Sequence, residues 1–424
     1  MKALLLGSGG RESALAWALS RSASVDELVA APGNPGVGRL ATLAPVDPSD
    51  PAAVVDLARR LDAGVVLVGP EGPLVAGVGD ALRAEGRLVF GPDAAAARIE
   101  GSKSYAKRLM LDAGIPTGRA GTFADEASAV AFMDRLGPPY VIKADGLAAG
   151  KGVVVTEERA EAVTAIRQSF GGAFGDAGRT IVVEEFLSGE EASLIAFTDG
   201  RTVVPCEPAQ DYKRAFDGDA GPNTGGMGSY SPVPSCPDVL VEQIVAEVLE
   251  PMVAVTAAQG APFVGALYAG LSLTSEGPKV IEFNARFGDP ETQALLPRLE
   301  SDFGEAVLAA ASGDLAGTKL EWSPRACVTL VLASGGYPDP HDTGFPIRGL
   351  DRVPEDVLVF HAGTRAAGDG VVTAGGRVLA LSALGAGFAE ARQRVYDATQ
   401  TIDFENVHYR TDIAARAVRK EQGR

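Results

Sequence analysis

Apolar positions follow two different periods over the first hundred residues. The stretches "KALLL", "ELVAA", "GVVLVGPE" and "RLVFG" are short apolar runs set off by glycine, proline or polar residues, as in strands buried on both faces. Between them "RESALAWALSRS", "PAAVVDLARRLDA" and "LVAGVGDALRAEG" repeat their apolar residues at helical spacing. Strands alternating with helices predict a parallel, doubly wound sheet, which takes ligands at the carboxyl ends of its strands. Those ends read "GSGGRE", "APGNPG" and "VGPEGPL", all rich in glycine or proline.

The pattern changes at "SKSYAKRLMLDAG", a helix. The strands "YVIKAD" and "GVVVT", a helix over 157–170 and the strand "TIVVEEFL" then form a small α+β unit. Two strands near 192–205, a helix over 238–257, the strands "FVGALYAGLSL" and "PKVIEFN" and a helix near 302–313 follow. The last hundred residues are mostly strands ("ACVTLVLAS", "VLVFHAGT", "RVLALSALG") with one clear helix, "FAEARQRVYDATQ". The expected class is α/β, with an α+β middle. The division is a doubly wound domain at 1–101, a middle domain at 102–324 with a lid at about 118–190, and a mostly β domain at 325–424. One stretch fits neither period. "DYKRAFDGDAGPNTGGMG", Asp211 to Gly228, has eighteen residues and five glycines. It reads as an irregular loop, and loops of that length in a compact domain are usually functional or disordered.

Composition narrows the function. Hydrophobic residues make up 46% of the chain, enough for a large core. A net charge of −17, from 38 Lys and Arg against 55 Asp and Glu, speaks against nucleic-acid or anionic-membrane partners. Any polyanionic ligand must be held by a local nest of lysines and backbone N–H groups. Cys206, Cys236 and Cys327 form no metal or redox spacing and read as inert thiols of a reducing compartment. His341, His361 and His408 are too scattered for a three-histidine metal site. The first apolar run is too short for a signal peptide and no run reaches membrane-spanning length, so a cytoplasmic protein is expected.

Four stretches carry candidate chemistry. "GSGGRE" departs from a dinucleotide fingerprint, since Glu12 takes the place of the third glycine and no acidic residue ends the second strand. Gly9 and Gly10 at a helix N-terminus could still hold a phosphate, or form a plain tight turn. "GLAAGKGVVV" is not a Walker loop, because it joins two strands and Gly follows Lys151. Gly150, Lys151 and Gly152 suit a hairpin laid over phosphates, with Lys143 on the preceding strand as a point charge; a simple flexible hairpin is the alternative. "VVEEFLSGEE" suits an adenine hinge: main chain at Glu184 and Glu185 for the base edge, Phe186 and Leu187 around it, Glu191 on the ribose. By itself it is also compatible with an edge strand ending in solvated acids. "VIEFNARFGDPET" is the sharpest. Glu282 and Asn284 are two apart on a strand and share a face, as oxygen ligands of Mg²⁺ would, and Arg286 continues that face if the strand persists.

In this order, the glycine-rich hairpin, strand lysine, acidic hinge and Glu-x-Asn strand resemble the ATP-grasp fold. More closely, "GSGGRE", "PGNPG", "EEFLSGEE", "PAQDYKR", "GPNTGGMG", "EFNARFGDPETQ", "HAGT" and "YRTDI" resemble the phosphoribosylamine–glycine ligase family over nearly the whole chain. The family commonly has His where Ser13 and Tyr212 stand and Gly where Ala414 stands. The resemblance implies ATP and Mg²⁺ or Mn²⁺ as cofactors, glycine and 5-phosphoribosylamine as substrates, and a monomer. It implies ATP contacts at Lys103, Lys143, Gly150, Lys151, Gly152, Glu184, Glu185, Phe186, Leu187, Glu191, Arg214 and Asn223. Metal ligands would be Glu282 and Asn284, and Arg286, Lys143 and Asn223 would act on the transferring phosphoryl group. Substrates would meet Gly9, Gly10, Asn34, Asp211, Lys213, Thr224, Gly225, Gly226, Asp289 and Glu291. The 211–228 loop would be mobile before they bind. The alternatives are another ATP-grasp ligase or carboxylase, and a nucleotide sensor without turnover.

Overall fold

A computed structural model describes residues 1–147 and 152–423. Five parallel strands open the chain, in the spatial order Thr42–Leu43, Glu27–Pro32, Lys2–Gly7, Val65–Val68, Leu88–Phe90. Leu4 and Leu6 enter one core and Ala3 and Leu5 the other, so both sheet faces are covered and the apolar run is continuous. The order reverses beside Lys2–Gly7, which places the crevice outside the ends of that strand and Val65–Val68. Helix Pro51–Leu61 starts where Asp50 accepts from the N–H groups of Ala52 and Ala53, with proline at its first turn. The helix expected over "LVAGVGDALRAEG" is two helices, Glu71–Val75 and Val78–Ala84, broken at Gly77, whose φ is +86°.

The middle of the chain holds two antiparallel sheets. The lid sheet has the order Ala120–Phe123, Ile181–Glu185, Tyr140–Ala144, Val153–Thr156. Helices Glu126–Leu136 and Arg159–Gln168 cover it. The first strand and first helix of the lid were not anticipated from the sequence. The strand Ile181–Glu185 is internal to this sheet and buries Glu184, so it is not an edge strand. The floor of the cleft is the sheet Val203–Pro205, Glu190–Asp199, Val264–Thr274, Gly277–Asn284.

Half of the expected irregular loop is strand. Arg214–Phe216 pairs with Ala220–Asn223 as a hairpin turning at Gly218, φ +71°. On either side, Gln210–Asp211 and Gly228–Ser231 join the C-terminal sheet beside Ala326–Ala333, Arg377–Gly385 and Val357–His361. Apolar periodicity could not reveal this hairpin, because its strands are short and rest on charged partners. The two large cores each draw on the N-terminal, middle and C-terminal parts of the chain, while the lid has a separate small one.

Candidate active site

Strand Gly277–Asn284 forms the floor, and Glu282 lies opposite Gly270 on the neighbouring strand. Burial works to raise the Glu282 carboxyl, but Lys213, Lys143, Lys103 and Arg286 outweigh it and hold the group ionised, below the ordinary range. The strand ends at Asn284, so Arg286 does not continue it; the Ala285 N–H turns away to Glu100 Oε2 at 2.7 Å. Arg286 still reaches Asn284 Oδ1 at 3.4 Å and is fixed by Glu100 at 2.9 Å and Glu71 at 3.3 Å. Burial would lower the guanidinium, yet Glu100 and Glu71 keep it firmly charged.

The lid and the helix Lys103–Asp112 bring a second set. Lys143 Nζ lies 3.1 Å from Glu184 Oε2 and donates to Ile281 O on the floor at 3.1 Å. Lys107 approaches the same Glu184 oxygen at 3.1 Å and donates to Thr117 Oγ1 at 2.7 Å. Burial favours a neutral Glu184, but Lys143 and Lys107 hold it ionised. Its other oxygen, Oε1, is buried and has no hydrogen-bond partner among the described residues. Lys103 bonds Gly146 O at 2.9 Å. Lys107 stands four residues after Lys103 and so shares its helix face, a signal the sequence offered and motif matching passed over. Phe186 is 41% exposed beyond the end of its strand, and Leu187 is half-buried. The Glu185 N–H is taken by Arg119 O at 2.8 Å, which leaves the base edge to groups around it. Gly152 O accepts from the Ala144 N–H at 2.8 Å. Gly150 and Lys151 lie outside the described residues.

From the opposite side Lys213 reaches Glu191 at 2.9 Å and Glu282 at 4.0 Å. Burial, with Glu291, Glu191 and Glu282 nearby and only Lys213 opposing, pushes the Asp211 carboxyl up to about 8. Glu291 is buried and accepts from Tyr268 Oη at 2.9 Å and Ser193 Oγ at 3.1 Å. Lys213 O accepts from the Thr224 N–H at 2.7 Å and from its hydroxyl at 2.9 Å. The Gly225 N–H donates to Tyr337 Oη at 2.9 Å, and Gly225 O accepts from Arg377 at 2.6 Å. Gly226, φ +110°, passes so close to Pro290 that a side chain there would collide with the ring. Arg214 turns back onto Gly221 O at 2.8 Å, and its main chain is paired with that of Asn223 across the hairpin.

At the N-terminal loops, groups expected to meet substrate already have partners within the protein. The Gly9 N–H is not free for a phosphate: it donates to Glu12 Oε2 at 2.5 Å. Glu12, the residue that broke the dinucleotide fingerprint, thus caps its own helix, and a side chain at Gly7 would strike it at 2.7 Å. The Arg11 N–H meets Asp289 Oδ2 at 3.1 Å, so a protein carboxylate already sits beside this helix N-terminus and Gly10. Asn34 shapes its loop instead of offering its amide. The amide nitrogen donates to Ser8 O and His361 O, both at 2.9 Å, and Oδ1 accepts from the Gly36 and Val37 N–H groups. Asp289 is drawn toward Arg377, at 3.3 Å, and Gln293, at 2.7 Å. Arg377 and Tyr337 come from the C-terminal domain, where no motif marked them.

A lid of four antiparallel strands that sets Lys143 over a floor strand carrying Glu282 and Asn284, with Lys103 and Lys107 from the preceding helix, defines an ATP-grasp enzyme. Models of the phosphoribosylglycinamide synthetase N domain, ATP-grasp (A) domain and C domain match residues 1–100, 101–292 and 327–416. A phosphoribosylamine–glycine ligase of Streptomyces coelicolor is 53% identical over 422 residues, 98% of this chain and 99% of the relative. The crystal structure of a Thermotoga maritima phosphoribosylamine–glycine ligase aligns with TM-score 0.84 at 34% identity, covering 98% of this chain and all of that one, 100%. The biotin carboxylase domain of a Hydrogenobacter thermophilus 2-oxoglutarate carboxylase has TM-score 0.72 at 17% identity over 96% of this chain and 91% of its own, a likeness of fold alone. The chain belongs to the phosphoribosylamine–glycine ligase family.

Proposed function

We propose that this chain catalyses the reaction its family is named for, in purine biosynthesis: ATP, glycine and 5-phosphoribosylamine give ADP, phosphate and glycinamide ribonucleotide. The family match along nearly the whole chain carries this reading, and the cleft supports it. A glycine carboxylate oxygen attacks the γ-phosphorus as the bond to ADP breaks, giving glycyl phosphate. The ribosylamine nitrogen then attacks the acyl carbon, phosphate leaves, and the amine loses a proton. Neither step needs a protein nucleophile, which suits a cleft of carboxylates, lysines and arginines. Positioning and charge neutralisation supply most catalysis in such transfers.

In this reading Phe186 and Leu187 frame the adenine, and the bare Glu184 Oε1 is a fitting acceptor for its amino group. Lys143 and Lys103 take phosphate oxygens, with Gly152 and, outside the described residues, Gly150 and Lys151. Glu191 would meet the ribose once Lys213 releases it. Arg286, held in place by Glu71 and Glu100, faces charge on the transferring phosphoryl group. The hairpin supplies Asp211, Lys213, Asn223 and the Thr224–Gly226 main chain on the glycine side. Arg214 serves by bracing the hairpin. Asp289, Glu291, Gly9, Gly10 and the loop held by Asn34 line the phosphoribosylamine side.

The donors fit a magnesium or manganese ion, since Glu282 is held ionised and Asn284 adds a neutral oxygen. Such an ion takes one or two protein ligands and completes its shell with phosphate oxygens and water. When bound, it would neutralise charge on the β- and γ-phosphates. Among the described residues no helix is long and apolar enough to cross a membrane. We read the enzyme as cytoplasmic and monomeric, as the family resemblance implies. ADP release that requires both glycine and phosphoribosylamine is the expected result. Release driven by bicarbonate without glycine would favour the carboxylase alternative, and ATP binding without turnover the sensor.

A further inference from the structure

The segment His408–Arg416, which contains "YRTDI", meets the back of the 211–226 hairpin at six of its nine residues. Arg410 is fully buried. It forms a bidentate pair with Asp412, both bonds 2.7 Å, and one guanidinium nitrogen also lies 3.0 Å from Asp219 and donates to Arg214 O at 3.0 Å. Its guanidinium lies 4.8 Å from the centre of the Tyr212 ring. The Thr411 N–H donates to Asp217 Oδ1 at 2.7 Å, and its hydroxyl meets the same carboxylate. The Gly218 N–H donates to Asp412 at 2.9 Å, and His408 Nε2 lies 2.8 Å from Ala215 O. The Ala414 N–H donates to Tyr212 Oη at 3.0 Å, and Arg416 bonds Asp219 at 2.8 Å.

These contacts bear on main chain next to the cleft residues. Arg214 O and Ala215 O follow directly on Lys213, whose own carbonyl holds Thr224, and Arg377 and Tyr337 grip Gly225 beyond it. Asp211, Lys213 and Thr224 therefore stand between two grips, and a shift at Arg214 moves Lys213 relative to Glu282. Charge-assisted bidentate bonds fix direction as well as distance, which apolar packing does not.

We propose that the His408–Arg416 segment is a clamp that sets the pose of the hairpin, and that Arg410 is a positioning residue for the glycine side of the reaction. The proposal rests on the hairpin being the glycine-side arm. Lysine cannot reproduce the bidentate bond and the carbonyl bond together. Arg410→Lys should fold, raise the glycine KM and lower turnover by about tenfold, a loss near 1.4 kcal/mol. The Kd of a non-hydrolysable ATP analogue should stay within about twofold, and amide exchange over 213–224 should quicken by about tenfold. Thr411→Val, which removes only the hydroxyl bond to Asp217, should move the same readouts by about threefold and serves if the lysine variant does not fold. A folded variant with unchanged hairpin exchange overturns the clamp. So does faster exchange with glycine KM and turnover near wild type, or an equal loss of affinity for the ATP analogue, the mark of general destabilisation. Absence of glycine-dependent ADP release in the wild type would instead refute the proposed reaction, and the exchange measurement would still decide whether the clamp exists.

Discussion

The lid and the 211–226 hairpin both lean over the strand that carries Glu282, but only the lid has a core of its own. Met133, Ile142, Ile166, Ile181 and Val183 form its centre, apart from the two large cores. Among the described residues its polar links to the body include Lys143 to Ile281 O, Lys107 to Glu184, Lys103 to Gly146 O, and Asp145 to Ser102 and Ser104. The hairpin has Phe216 half exposed, at 49%, and is held by Arg410, Asp217, Asp219 and Asp412. Apolar contact is non-directional, so a small body with its own core can swing without losing its shape. Buried ion pairs hold one geometry and are costly to break from one side. The arm assigned to ATP is thus built to move as a unit, and the arm assigned to glycine to hold its pose.

Glu282 sharpens the comparison because both arms send it cations. Glu282→Gln keeps the shape and removes the charge. It should still bind adenine through the lid, but turnover should fall by about 10²–10³, equivalent to about 3–4 kcal/mol, and recover in part at high Mg²⁺. Normal turnover at limiting Mg²⁺ would show that the carboxylate is no metal ligand.

Ile166→Ala empties part of the lid core and should destabilise the lid by about 2–5 kcal/mol. Hydrogen exchange should rise across 120–185 and ATP affinity should drop, while amides 213–224 keep their protection. Loss of protection in both arms would mean that they share one cooperative unit.

The reverse experiment uses Asp412. Burial works to raise its carboxyl, but the bonds from Arg410 and Gly218 win and hold it at about 2, below the ordinary 3.8. A depressed folded pKa adds stability that is present above the unfolded value and lost as pH falls toward the folded one. Wild type should therefore be more stable than Asp412→Asn at pH 6, and the gap should close between about pH 4 and 2. A gap that stays constant with pH would remove the charge from the account.

The smallest effect is expected at Ala414, which sits in left-handed backbone with φ +60°. Ala414→Gly should relieve the strain and stabilise the protein by up to about 1 kcal/mol, a net figure because glycine also frees the unfolded chain. A lower Tm would mean that the buried methyl group matters more than the backbone.

The same contrast explains what could be read from the sequence. Strands such as Lys2–Gly7 and Val65–Val68 and the helix Pro51–Leu61 announce themselves because burial imposes a period and caps mark the ends. The Glu282 and Asn284 pairing follows from strand alternation alone. The hairpin was invisible because its support comes from residues about two hundred positions away, and charge pairs leave no period. Arg377 and Tyr337 were missed for that reason. Asn34 and the Gly9 N–H were legible as loop features, but not as groups already occupied, since their partners are Ser8 O, His361 O and Glu12.

The central claim is that the carboxylate of glycine takes the γ-phosphoryl group before the amine attacks. Glycine labelled with oxygen-18 in its carboxylate tests this when turned over with ATP and phosphoribosylamine and the released phosphate is weighed by mass spectrometry. The account predicts that each phosphate carries one labelled oxygen from glycine. Unlabelled phosphate, formed at the same rate as glycinamide ribonucleotide, would contradict it.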